Sequence, residues 1–276
     1  MDRILEIIGE LRKADREVFR VGAPVPQPYA SVDPEHLRVE LAAGAAAHLV
    51  VLHTKAATSS LDVTLAEGAQ LELTELFLGG TFCETTVRQG ARSRCRMTTV
   101  LLAGANVACR IELEGADAEN NLGGAFLLGG REHGVVKLHT NHRVAECRSD
   151  STIKGVAGGE AVGEFSGLVY VAPDAQRTDA RQQSRNVLLS ETARIETMPQ
   201  LEIYADDVKC SHGATVGQMD ADAILYMRQR GLSETQARQL QIEGFVGDIV
   251  RRCGVEPLGE ALLSLASERL GRQDKE

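Results

Sequence analysis

Cys210 and His212 stand two residues apart in the stretch DVKCSHGATVG, Asp207 to Gly217. On an extended strand side chains alternate faces, so a thiol and an imidazole at this spacing point the same way. Thiolate and imidazole are natural ligands of zinc and of iron–sulfur clusters. Two ligands are too few to close a site. Either a second chain completes the pair, or these are two ordinary residues in a turn. Spacing alone favours the ordinary reading.

Other residues could do chemistry, and each has a plainer role. His139 and His142 form an H-x-x-H spacing beside Asn141 and Cys147. A strand does not bring i and i+3 to one face, so a polar turn is the expectation there. Asp206 and Asp207 follow the alternating LEIYA; adjacent carboxylates on a strand face apart, which favours a turn over paired acid–base work. The LGG triplets at 78–80, 122–124 and 128–130 lack the strand–turn–helix setting that aims amides at phosphate, and read as tight turns. There is no phosphate loop, no G-x-S-x-G elbow and no H-E-x-x-H helix. The six cysteines (83, 95, 109, 147, 210, 253) contain no C-x-x-C pair. Their scatter speaks against a disulfide scaffold, and most are expected to pack as small buried hydrophobes.

Composition narrows the class further. The chain has 276 residues, 43% hydrophobic and 25% charged, as in an ordinary globular protein. A net charge of −9 argues against sequence-independent nucleic-acid binding and against anionic membrane surfaces. No apolar run approaches the ~20 residues of a membrane helix. The N-terminus MDRILEIIGELRKADREVFR is too charged for a signal peptide, so the cytoplasm is the expected location. There is no Trp and only 4% aromatic residues, so the core must be built in small layers of Leu, Val, Ile, Ala and Cys.

The elements that would hold such residues show as a repeat. VELAAGA (39–45), VTLAEGA (63–69), TTVRQGA (85–91), IELEGA (111–116), VYVAPDA (169–175) and VLLSETA (187–193) share alternating aliphatics, then a turn residue and Ala. VKLHTNH (136–142) fits if the Ala is relaxed, and the gap between Ala116 and Ala175 leaves room for about two units. Alternation makes a short half-buried strand, and Gly, Asp or Asn tolerates the left-handed turn. One such coil cannot bury its own face, but a stack can. A period of about 20 to 25 residues without helix points to a parallel β-helix. An antiparallel sandwich remains the alternative.

Both ends read as helical. Ile4, Leu5, Ile8 and Leu11 make an amphipathic stripe that should end before GAPVPQP at 22–28. Asp220 is a candidate N-cap, Gly231 a helix-ending glycine, and Ser233 to Gln236 a capping box. Leu240, Ile242, Phe245, Val246, Ile249 and Val250 give the next helix an apolar face, and Pro257 fits the first turn of a third. The expected organisation is an N-terminal helix with a Pro-rich linker (1–28), a β-helix core (29–217) and a C-terminal helical region (218–276). The helices would either cap the open end of the stack or dock a partner.

PQLEIYADDVKCSHGATVG (199–217), FSGLVYVAPDAQRTDARQQSRNVLLSETARIETMPQ (165–200) and ILYMRQRGLSETQARQLQIEGFVGDIV (224–250) together resemble the SufB/SufD family of iron–sulfur cluster assembly proteins, on its SufD side. The resemblance implies a mainly β fold, a right-handed parallel β-helix followed by helices. It implies a non-catalytic scaffold subunit that pairs with a SufB-like subunit, or with itself, and binds a SufC-like ABC-type ATPase. Cys210 and His212 match the family's CSH, where the histidine lies at a subunit interface and is proposed to ligate a transient iron–sulfur cluster. Tyr226, Arg228, Arg230, Gly231 and Leu232, with Phe245 on the following helix, match the segment that docks the ATPase.

The chain departs from the pattern in three ways. It has a shorter helical region before the β-core, it lacks the cysteine that SufB-like proteins show near Arg185, and it leaves Cys83, Cys95, Cys109 and Cys147 without an assigned role. Two readings of another class stay beside it. One is an interaction protein that carries no cluster. The other is a carbohydrate-active β-helix enzyme, which would need paired carboxylates on successive coils.

Overall fold

Strands that alternate apolar and polar residues can hide only one face, and in this chain they do so by stacking. The structure is a computed structural model that describes residues 1–15 and 17–271. Helix α1 (Asp2–Glu10) leads into two short strands, β1 (Arg12–Lys13) and β2 (Val18–Val21). There follow β3 (Tyr29–Val32), β4 (His36–Leu41), β5 (Ala46–His53), β6 (Thr58–Leu65), β7 (Gln70–Phe77) and β8 (Phe82–Gln89). The stack continues through β9 (Arg94–Leu101), β10 (Asn106–Leu113), β11 (Glu119–Leu128), β12 (His133–His142) and β13 (Arg148–Ala157). It closes with β14 (Val162–Val171), β15 (Asp179–Leu188), β16 (Arg194–Ile203) and β17 (Lys209–Gln218). Helices α2 (Ala221–Gln229), α3 (Glu234–Val250) and α4 (Glu256–Gly271) come last.

The odd-numbered strands form one sheet, β1 to β17 in order, and the even-numbered strands form the other. Neighbours within each sheet run parallel, so every coil gives one strand to each sheet, and the antiparallel sandwich is excluded. The two inner faces meet in a narrow core of Leu37, Leu49, Val63, Leu73, Phe77 and their counterparts on later coils. Val39, Val63, Val87 and Ile111 stand in one register, as the repeat predicts. Two details of the repeat are corrected. From β11 onward the strands have 10 residues instead of 8, so the longer coils leave one unit, β12, between IELEGA and VYVAPDA. VLLSETA leaves β15 in the opposite sheet, half a coil out of phase with the others.

One corner of each coil is a single left-handed residue followed by a small buried one. Gly44 and Gly68 begin this ladder, but Arg92, Asp117, Glu146 and Arg177 continue it with φ of 54°, 58°, 66° and 59°. L-residues tolerate this region at a cost of order 1 kcal/mol, which the stacked ladder offsets. The N–H of Gly44, Gly68, Arg92, Glu146 and Arg177 donates to a carbonyl of the next coil, as from Gly44 to Glu67 and from Arg92 to Ala116, both at 2.9 Å. The residue after the corner is Ala45, Ala69, Ser93, Ala118, Cys147 or Thr178, all buried, because nothing larger fits beneath the bend.

The helices lie along the side of the stack. Ile4, Ile8, Val246, Ile249, Leu258 and Leu262 pack on Val50, Leu76, Val100 and Leu127, which point outward from the first sheet. This explains why LVVL (49–52) and VLL (100–102) lose their alternation: strands covered on both faces are apolar throughout. The helices therefore leave the open end at β16 and β17 uncapped, contrary to the capping reading. The β-stack also starts earlier than residue 29, since β1 pairs with β3 and β2 with β4. In α1, Ile4 and Ile8 are buried whereas Leu5 is exposed. Residues 272–276 of the expected helical region lie outside the described residues.

Candidate functional site

β17 is the terminal strand of its sheet, and it carries Cys210 and His212. Their partners in register are Ala180 and Gln182 of β15, both fully buried inside the stack. Cys210 and His212 therefore face the same inward direction, but no further coil lies above them. Cys210 is half-buried against the small apolar group of Val169, Val171, Ala175 and Ala180, and burial pushes its thiol up. His212 is exposed. The neighbouring interior is polar: Gln182 Nε2 donates to the Gly167 carbonyl at 3.1 Å, and Asn186 Nδ2 to that of Thr215 at 3.0 Å. Met198, Ile203, Tyr204 and Val216 on β16, β17 and the bend between them are exposed at the same end. Thus the pair sits at an unpaired sheet edge, at an end of the stack where apolar side chains are exposed. Such an edge is a ready template for another chain.

The second expected site falls on a projecting element. α2 has no buried residue and packs on α3, with Asp220 capping its N-terminus (Ala223 N to Oδ1, 3.0 Å). Arg230 Nη2 donates to the Tyr226 hydroxyl at 3.0 Å and its guanidinium covers that ring. Arg228 pairs with Glu234 at 3.2 Å. Gly231 turns the chain at φ 98°, a conformation that needs glycine, and Leu232 is half-buried beside it. Leu225, Tyr226 and Leu240 leave an exposed apolar patch on this α2–α3 hairpin. Phe245 is not part of it. Its ring lies under the Lys154 ammonium at 5.2 Å, on the side of α3 that faces the stack.

The remaining candidates separate. His139 and His142 lie on strand β12 and not in a turn, and they face apart. His139 meets Arg110 on the outer surface at 3.0 Å, while His142 lies inside against Ser149 Oγ at 2.8 Å. Burial holds His142 down to about 4. Asp206 and Asp207 lie in the bend between β16 and β17, as expected.

The structure also gathers residues that the motif reading did not. A ring nitrogen of His53, a carboxylate oxygen of Glu75 and Cys83 Sγ lie within 4.8 Å of one another inside the stack; among the described residues no other such group of three occurs. Glu75 Oε1 accepts from Thr85 Oγ1 at 2.8 Å and from Cys83 Sγ at 3.9 Å. His53 stacks on Phe77, its register partner, at 4.4 Å. One signal was present in the sequence: in LELTELF the inward positions run Leu71, Leu73, Glu75, Phe77, with an acid where an aliphatic belongs.

Comparison with known proteins bears on most of the chain. Residues 27–245 match the model described as SUF system FeS cluster assembly, SufBD core domain. An iron–sulfur cluster assembly SufBD family protein of Synechocystis is 40% identical over 178 residues, covering 60% of this chain and 37% of the relative. The iron–sulfur cluster assembly protein SufD of Escherichia coli is 39% identical over 129 residues, covering 47% of this chain and 30% of that protein. A SufBD family protein of Mycobacterium bovis is 26% identical over 251 residues, 85% of this chain and 63% of the relative. In each case the chain spans less than two thirds of the relative's own length.

Proposed function

Because the chain belongs to the SufBD family of iron–sulfur cluster assembly proteins, we propose that it serves as a non-catalytic, SufD-like scaffold subunit of a cytoplasmic assembly complex. It pairs through the open end of its β-stack with a SufB-like subunit or a second copy of itself. It binds a SufC-like ABC-type ATPase through the α2–α3 hairpin. A nascent iron–sulfur cluster, the cargo of the complex, is held between subunits with Cys210 and His212 as this chain's contribution. The observation that carries this reading is the pair's position: a thiol and an imidazole, on one face, at an unpaired edge with no third ligand grouped with them among the described residues. A partner supplying the missing ligands resolves both the open coordination and the open edge. Six free thiols fit a reducing compartment.

The test is anaerobic purification of the tagged chain with its stoichiometric partners. An ABC-type ATPase that is retained by the unsubstituted chain and lost from an Arg228→Glu/Leu232→Glu variant is expected. Retention by that variant would remove the docking surface. Iron and sulfide uptake by the complex should fall in Cys210→Ala/His212→Ala. Unchanged uptake would favour a purely structural subunit.

A further inference from the structure

The group inside the stack is independent of the exposed pair at its end. His53 closes β5, Glu75 is two residues from the end of β7, and Cys83 is the second residue of β8. They come together because β5 and β7 are register neighbours and the turn at Leu78–Thr81 folds β8 back across the interior. That turn is tight: a Cβ on Gly79 would stand 2.6 Å from the backbone of Thr54 and Lys55. The three side chains are 2%, 1% and 0% exposed, and His53 Nε2 is buried without a hydrogen-bond partner. A core acid, imidazole and thiol at one point are costly unless something satisfies them together.

We propose that His53, Glu75 and Cys83 form a site for a divalent transition-metal ion inside the β-helix, clamping successive coils. The donor set is one nitrogen, one oxygen and one sulfur, which suits a borderline cation such as zinc, and does not suit magnesium or calcium. A tetrahedral zinc with bonds of about 2.0–2.3 Å needs only small inward movements from the present spacing of up to 4.8 Å. Thr85 Oγ1, 2.8 Å from Glu75 Oε1 and 3.8 Å from Cys83 Sγ, orients the acid, and three protein ligands leave a fourth position open.

Charge supports the geometry. A buried carboxyl, thiol and imidazole favour their neutral forms. A dication that displaces the carboxyl proton and the thiol proton, both released to solvent, leaves the site neutral again. No net charge is then carried into the apolar interior, and affinity rises with pH.

The test uses the full chain in a Cys210→Ala/His212→Ala background, chelator-treated and dialysed anaerobically against Co²⁺ or Zn²⁺. One Co²⁺ per chain, with a thiolate-to-cobalt charge-transfer band, is expected. Cys83→Ser should abolish the band, His53→Gln should weaken binding by at least about ten-fold, and Cys95→Ser should leave both unchanged. X-ray absorption on the zinc form of the background protein should show one sulfur and the rest nitrogen or oxygen, a readout that survives even if a variant fails to fold. Substoichiometric metal, a band that persists in Cys83→Ser, or a zinc shell without sulfur would overturn the site.

Discussion

Glu75 is buried, and its neighbours are Thr85, Cys83 and an imidazole that burial keeps neutral. Burial raises its carboxyl from the ordinary 4.5 to about 7, and holds His53 and His142 down to about 4. The signs oppose. The raised acid favours the metal-free fold below about pH 4.5, and that contribution is lost as pH rises to about 7; the depressed imidazoles favour it above about 6.5 and lose it as pH falls to about 4. Glu75→Gln removes only the first. Its urea midpoint, with chelator present, should therefore rise more steeply between pH 4.5 and 8 than that of the unsubstituted chain, by roughly 3 kcal/mol in stability. Parallel curves would mean that Glu75 is not ionised as its surroundings dictate. Cysteine reactivity is a second check. Cys83, Cys95, Cys109, Cys147 and Cys253 are buried and Cys210 is not, so alkylation of the native chain should label Cys210 first, seen by peptide mass. The common face of Cys210 and His212 was legible from period-two spacing. The triad was not, because its members come from three strands whose order in space the sequence does not state.

Helices α3 and α4 are held by burial and by a few polar ties to the sheet. Lys154 Nζ, nearly buried on β13, donates to Asp248 and to the Phe245 carbonyl, each at 2.7 Å, and Thr74 Oγ1 donates to the Cys253 carbonyl at 3.2 Å. Leu262 is 1% exposed in this layer. Leu262→Ala should cost about 2–5 kcal/mol and loosen α3 and α4 before the β-stack, which hydrogen exchange would resolve. If protection falls evenly along the chain, helices and stack unfold as one unit. α2 has nothing buried and ends in an exposed turn, so limited proteolysis should cut early near Gln229–Leu232. The capping residues Asp220 and Ser233 marked these helix starts in the sequence, because capping is a local hydrogen bond. Where the helices would lie was not marked. Their apolar faces match any apolar surface, and only the unbroken apolar runs in the first sheet show which one they cover.

At the scale of the molecule the covered face and the open end of the stack differ. The outer face of the first sheet is covered by helices, while β16 and β17 offer unpaired edges with Met198 and Val216 exposed at 57% and 43%. The isolated chain should therefore self-associate through this end. Met198→Lys/Val216→Lys should shift sedimentation toward monomer while changing monomer stability by no more than about 0.5 kcal/mol per substitution. Undiminished association in that variant would place the contact elsewhere, the α2–α3 patch of Leu225, Tyr226 and Leu240 being the next surface to test.

The sequence by itself determined the coil unit: alternation, a turn residue and a small residue recur at a spacing that suits stacked parallel strands, and these are short-range preferences of the backbone; the parallel pairing itself excluded the sandwich. It also determined the helix starts and the paired orientation of Cys210 and His212, for the same reason. The tertiary structure alone decided that the coils lengthen from β11 onward, that arginine, aspartate and glutamate hold left-handed corners, and that the helices flank the stack and leave its end open. It alone assembled His53, Glu75 and Cys83. Each of these depends on contacts between residues one or more coils apart, where the identity of a neighbour is fixed by register in three dimensions and not by distance along the chain.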